Sequence, residues 1–153
     1  MFGIAETARR FGQYRWAELQ LFELLGTWAT GHPEPRVSPM LAAQAHRHAQ
    51  HARWFAARVP AVALQGADYS AGLVVGAFPL VPLVERAQAA TTTTDLLRAV
   101  HDGLLPALGA MYDDHLLHTD PRVDGPTTRV LALARRDLAD HHHEGMAMLE
   151  RLR

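Results

Sequence analysis

The stretch FGQYRWAELQLFELLGTW, residues 11–28, decides how this chain is read. Phe11, Tyr14, Glu18, Leu21, Leu25 and Trp28 follow one another in steps of three and four, the spacing that lines up side chains on one face of an α-helix. All of them are apolar or aromatic except Glu18, a carboxylate in the middle of the stripe. A buried ionised group costs several kcal/mol unless it is paired or bound to metal. The stripe therefore predicts both a packed helix, over about 5–30, and a set of partners for Glu18.

Three further segments show the same periodicity. A second helix is predicted over 38–59, with Ser38 as N-cap, Pro39 in its first turn and Pro60 beyond its end. Its seam is Leu41, Ala45, His48, Ala52, Phe55 and Val59. A third, over 92–118, opens in the threonine run 91–94 with Asp95 in its first turn. Its seam is Leu97, His101, Leu104, Leu108, Met111 and His115, and Pro106 should kink or break it. A fourth, over 126–152, starts at Asp124-Gly125-Pro126. Its seam is Leu131, Ala134, Leu138, His141, Gly145, Met148 and Leu152.

Gly31-His32-Pro33-Glu34-Pro35 ends the first helix. Some thirty residues, Ala61–Ala90, separate the second from the third, with a short helix expected around Pro82–Ala90. Short loops make the first and last pairs antiparallel hairpins, and the long connection lets the third helix run parallel to the second. The expected fold is all-α: one domain, residues 1–153, an antiparallel four-helix bundle with one long crossover between helices 2 and 3.

Composition narrows the function classes. The 153 residues are 48% hydrophobic and 20% charged, with 15 basic against 16 acidic side chains. A net charge of −1 gives no electrostatic footprint for nucleic acid or an anionic membrane. No Cys is present, which removes disulfides, thiolate metal sites and a Cys nucleophile. Ser38 and Ser70 are the only serines, and neither stands in a nucleophile elbow. The start shows no basic stretch followed by an apolar core, and the longest apolar run, residues 71–84, is broken by Pro79 and Pro82 and is too short to span a bilayer. A cytoplasmic location is the expectation.

Helix midpoints fall near residues 18, 48, 105 and 139, so Glu18, His48 and His141 share one depth. His115 stands on the order of 15 Å away along its helix and His101 about 6 Å. A carboxylate and two imidazoles suit iron, zinc or manganese, and such a set leaves coordination positions open. Glu18, His48 and His141 are the expected ligands, with His51, Asp137 and His101 around them and Asp137 orienting the other ring nitrogen of His141. His46, His142 and His143 point off the seam and read as solvated. Asp113-Asp114-His115 is a weaker acid–base candidate at the rim.

The layout of two hairpins, a long crossover and polar core residues resembles the ferritin-like superfamily of di-iron carboxylate bundles. The superfamily pattern is Glu, Glu-x-x-His, Glu and Glu-x-x-His on successive helices. Glu18 matches the first position, and His48 and His141 match the two histidines. Ala45 and Leu138 stand where the paired Glu residues belong, and Leu104 and Leu108 occupy the third helix at that depth. The resemblance implies iron and oxygen-activating chemistry (hydroxylase, ferroxidase or tRNA hydroxylase) on a degenerate metal site.

Two functions from different classes follow. One is a metal-dependent oxidoreductase or hydroxylase acting on a small molecule. The other is a non-catalytic bundle with a vestigial site, serving a structural or partner-binding role, in one form as a homodimer through an aromatic face of the first helix. Haem between His48 and His141 would need a gap that the large seam residues do not leave.

Overall fold

The computed structural model describes residues 1–31, 34–59 and 78–153. Among them the chain is all-helical, with no strand. The elements are α1 (Ile4–Gly31), α2 (Ser38–Arg58), α3 (Val81–Gln88), α4 (Thr93–Leu97), a π-helical segment (Arg98–Leu104), α5 (Leu105–Leu117) and α6 (Gly125–Arg151). Most of the long connection, residues 60–77, lies outside the described residues. No helix among those described is long and apolar enough to cross a membrane.

The stripe of α1 is buried as its spacing requires, with Phe11, Tyr14, Glu18, Leu21 and Leu25 all at 0% exposure. Its partners fix the directions of the helices. Phe11 stacks on Phe55 while Glu18 reaches His48, so α1 and α2 run antiparallel. Tyr14 meets His115 and Glu18 meets Tyr112, so α5 also opposes α1. Gln44 with His101 and Phe55 with Tyr112 place α2 and α5 parallel. Against α6, α2 pairs Gln44 with Glu144 and Arg58 with Asp124, again antiparallel. Apolar side chains from α1, α2, α5 and α6 share one core.

Helix ends follow local chemistry. Asp124 caps α6 by accepting from the Thr127 N–H, and Thr92 caps α4 by accepting from that of Asp95. Ser38 does not cap α2. Val37 occupies the cap position without a side-chain bond, and the Val37 and Ser38 N–H groups donate to the Glu34 carbonyl. The chain enters α2 already coiled, so Ser38 becomes the first helical residue and a cap has no role.

Pro106 does not end the third long helix at its own position. The turn before it widens instead, and the Leu105 N–H bonds the Val100 carbonyl five residues back. That register leaves the His101 carbonyl facing Pro106, which has no N–H to give. His142 fills the gap, its Nδ1–H donating to the His101 carbonyl at 2.5 Å. His142 is thus half-buried and structural rather than solvated, while His46 and His143 are exposed. Replacing His142 with Ala should cost about 1–2 kcal/mol, the usual penalty of an orphaned carbonyl. Denaturant unfolding measures it, and His143→Ala serves as the neutral control.

Candidate metal centre

Glu18 is fully buried, and three side chains satisfy its two oxygens. His48 Nδ1 lies 2.6 Å from Oε2 and His51 Nδ1 3.1 Å from Oε1, while the Tyr112 hydroxyl donates to Oε1 at 2.6 Å. His48 and His51 sit three residues apart on α2, hence on one face. One donor atom from each of Glu18, His48 and His51 falls within 4.8 Å of the others. On the far side of His51, Nε2 bonds Asp137 Oδ2 at 2.8 Å. Asp137 therefore orients His51 rather than His141, because α6 presents it one turn nearer the C-terminal half of α2.

Charge in this group is self-consistent. Burial alone would favour the neutral acid of Glu18, but His51 and His48 outweigh it and hold the carboxyl well below the usual range. His51 loses basicity to burial and regains more from Glu18 and Asp137, so its pKa is raised. Tyr112 is pushed well above 10, first by burial and then by the negative charge of Glu18, and keeps its proton to donate.

His141 borders this group, its ring 5.0 Å from that of His48 and nearly perpendicular to it. Burial, with His48 and His51 adding to it, pushes its pKa down to about 3, so it stays neutral. His101 lies one layer further on, carried by the π-helical segment. Its Nε2–H donates to Gln44 Oε1 at 2.7 Å, and Gln44 in turn donates to Glu144 at 2.9 Å. Burial and then His48 push it down to about 4. Ala45, Leu104, Leu108 and Leu138 are buried in the core.

The donor set fits a transition-metal ion. Two ligands each about 2.1 Å from a metal stand roughly 3.0–3.4 Å apart; His51 Nδ1, 3.1 Å from Glu18, falls in that range, while His48 Nδ1, 2.6 Å from it, stands at hydrogen-bond distance. His48 Nε2 and His141 Nδ1 are buried and have no hydrogen-bond partner among the described residues. Imidazole nitrogens left without a partner in a protein interior are unusual; on His48 it is Nε2, on the ring edge away from Glu18, that is free to take a cation. Tyr112 on Glu18 and Asp137 on His51 are the outer partners that fix ligand orientation in metal sites.

His115 is buried but stands apart from this group, its Nδ1 2.9 Å from the Tyr14 hydroxyl. Its pKa is pushed down to about 4, by burial first and then by Arg10. A depressed histidine binds its proton more weakly folded than unfolded, so its contribution is complete above about pH 6.5 and fades as pH falls toward 4. The wild type should therefore lose up to ~3 kcal/mol over that window on this account. A His115→Gln variant should show a flatter stability–pH curve; parallel curves would remove His115 as the cause.

Tyr112 and Gln44 were not foreseen. In the third long helix Tyr112 rather than Met111 faces Glu18, while the seam residues His101, Leu104, Leu108 and His115 are buried at their expected positions. Gln44 precedes His48 by one turn, the only sequence signal that it shares that face. Comparison of the chain with family models, curated proteins and solved structures gives no match.

Proposed function

We propose that this chain is a metal-binding helical bundle of the ferritin-like kind, in which Glu18, His48 and His51 hold one divalent transition-metal ion, iron before zinc or manganese, and His141 stands beside it. The observation that carries the reading is the convergence of three fully buried donors, with bare nitrogens on His48 and His141 next to them. The helix directions support the bundle, since α5 runs parallel to α2 and both oppose α1. Iron bound by two imidazoles and a carboxylate supplies redox chemistry toward dioxygen or a peroxide. On that basis the activity is oxidation of a small molecule.

The chain's own residues prepare the site. Tyr112 and Asp137 fix the carboxylate and the His51 ring, and the neutral rings of His101 and His141 keep further positive charge away. Loading a metal requires the ligand nitrogens to give up protons, so uptake competes with acid.

A second reading, a site that has lost its metal, is favoured by the three hydrogen bonds that already satisfy Glu18. Metal analysis separates the two. Untagged protein incubated with Fe(II), Zn(II) or Mn(II) and then desalted should retain about one ion per chain, and His48→Ala should abolish retention. Metal-free wild type, together with a His48→Leu variant more stable than wild type, would establish the vestigial reading, since apolar replacement of buried polar groups often stabilises.

A further inference from the structure

A cavity of about 280 Å³ opens at the end of the molecule where α1 begins and α2 and α5 finish. Phe2, Ile4, Phe11 and Val123 line it together with Arg58 and His115. It is separate from the Glu18 group. Between them stands a layer of rings in which Tyr14, Phe55 and Tyr112 pack with centroids 4.9–5.4 Å apart. An apolar cavity of about 150 Å³ accommodates benzene, so this one has room for two fused rings.

Its chemistry is two-sided. Ile4 and Val123, each 67% exposed, leave an apolar rim in water. Arg58 is only partly paired. Nη2 donates to Asp124 Oδ1 at 3.1 Å and to Thr127 Oγ1 at 3.5 Å, Nε is buried, and Nη1 makes no hydrogen bond among the described residues. The Tyr14 hydroxyl engages His115 Nδ1 at 2.9 Å, which leaves Nε2 as the ring nitrogen for a ligand. A few convergent polar donors in an apolar concavity are the usual form of a small-molecule site. Asp124 takes one edge of the guanidinium and cancels part of its charge, so the site matches one carboxylate rather than a dianion.

We propose that this cavity binds a small monocarboxylate with an aromatic body, the carboxylate on Arg58 and His115 and the rings against Phe2, Phe11 and Val123. The proposal is independent of any metal at Glu18. The probes are 2-naphthoate and its neutral counterpart 2-naphthalenemethanol, titrated into 15N-labelled protein and followed by amide shifts. Naphthoate should saturate with shifts confined to this end of the molecule, and the alcohol should bind about tenfold more weakly, as expected for loss of a charge-assisted hydrogen bond. Arg58→Gln should erase the preference for the acid, and Val123→Trp, at an exposed rim position, should block both probes while leaving the circular dichroism spectrum unchanged. No saturation by either probe, equal affinity for both in the wild type, or full binding by Val123→Trp would each overturn the proposal. Metal uptake measured on the same variants should match wild type, so failure here and failure of the metal centre read out separately.

Discussion

Glu18→Gln should lower the stability of this protein by about 3–5 kcal/mol, the range for removing one member of a buried charged pair. At this chain length that corresponds to a melting temperature lower by roughly 10 °C. The substitution keeps the shape and removes the charge. His48 and His51 lose the acceptor that holds them, and the Tyr112 hydroxyl is left against a weaker one. The amide brings two N–H donors of its own into a site already crowded with donors. Tyr112→Phe, which deletes one hydrogen bond and leaves the charge, should cost only about 1–2 kcal/mol. Replacing Glu18, His48 and His51 together with Leu, Leu and Phe should recover much of the loss, because the only carboxylate left without its imidazole is Asp137, which reaches solvent. Guanidinium unfolding of the three proteins measures the series. A Glu18→Gln variant as stable as the wild type would show that the carboxylate is not anionic in the core.

Gly145→Ala should be strongly destabilising. On an exposed helix face the change would help by about 1 kcal/mol. Here a Cβ would stand 2.1 Å from Cγ of His101 and 2.6 Å from its Cβ. The ring cannot rotate clear, since the clash reaches its first carbon and Nε2 is tied to Gln44. Backbone must move, and overpacking of this kind costs ~3 kcal/mol or more. The signature is non-additivity: Gly145→Ala combined with His101→Gly, which removes Cβ together with the ring, should be more stable than Gly145→Ala alone, as measured by denaturant unfolding. Gly109 is the contrast. Its added Cβ would meet only the side chain of Arg135, at 3.0 Å, and a long flexible side chain can give way.

The helices were legible because their stripes repeat over many turns, and the burial of Phe11, Tyr14, Leu21 and Leu25 follows from spacing alone. Glu18 and His48 stood out for the same reason, as polar residues on those stripes. The division of labour among the histidines was not legible. Whether Asp137 meets His51 or His141 depends on the relative rotation of α2 and α6 by a fraction of a turn, which periodicity within one helix does not report. The widened turn before Pro106 was hidden too. A proline announces a conflict in the helix but not its resolution, and here the widened turn goes with Tyr112 in place of Met111 against Glu18, while His101, Leu104, Leu108 and His115 keep their buried positions. Gln44 and His142 acquire their roles only through that resolution.

The line Asp137–His51–Glu18–Tyr112 joins α6, α2, α1 and α5 in one chain of hydrogen bonds. Leucine and alanine surfaces tolerate sliding, since one greasy neighbour replaces another. Charged groups do not: displacing any one of the four rods by a single turn, about 5.4 Å, would strand a carboxylate or an imidazole in oil. The polar thread thereby works as a locating pin, selecting one axial alignment from the several that the apolar surfaces alone would accept.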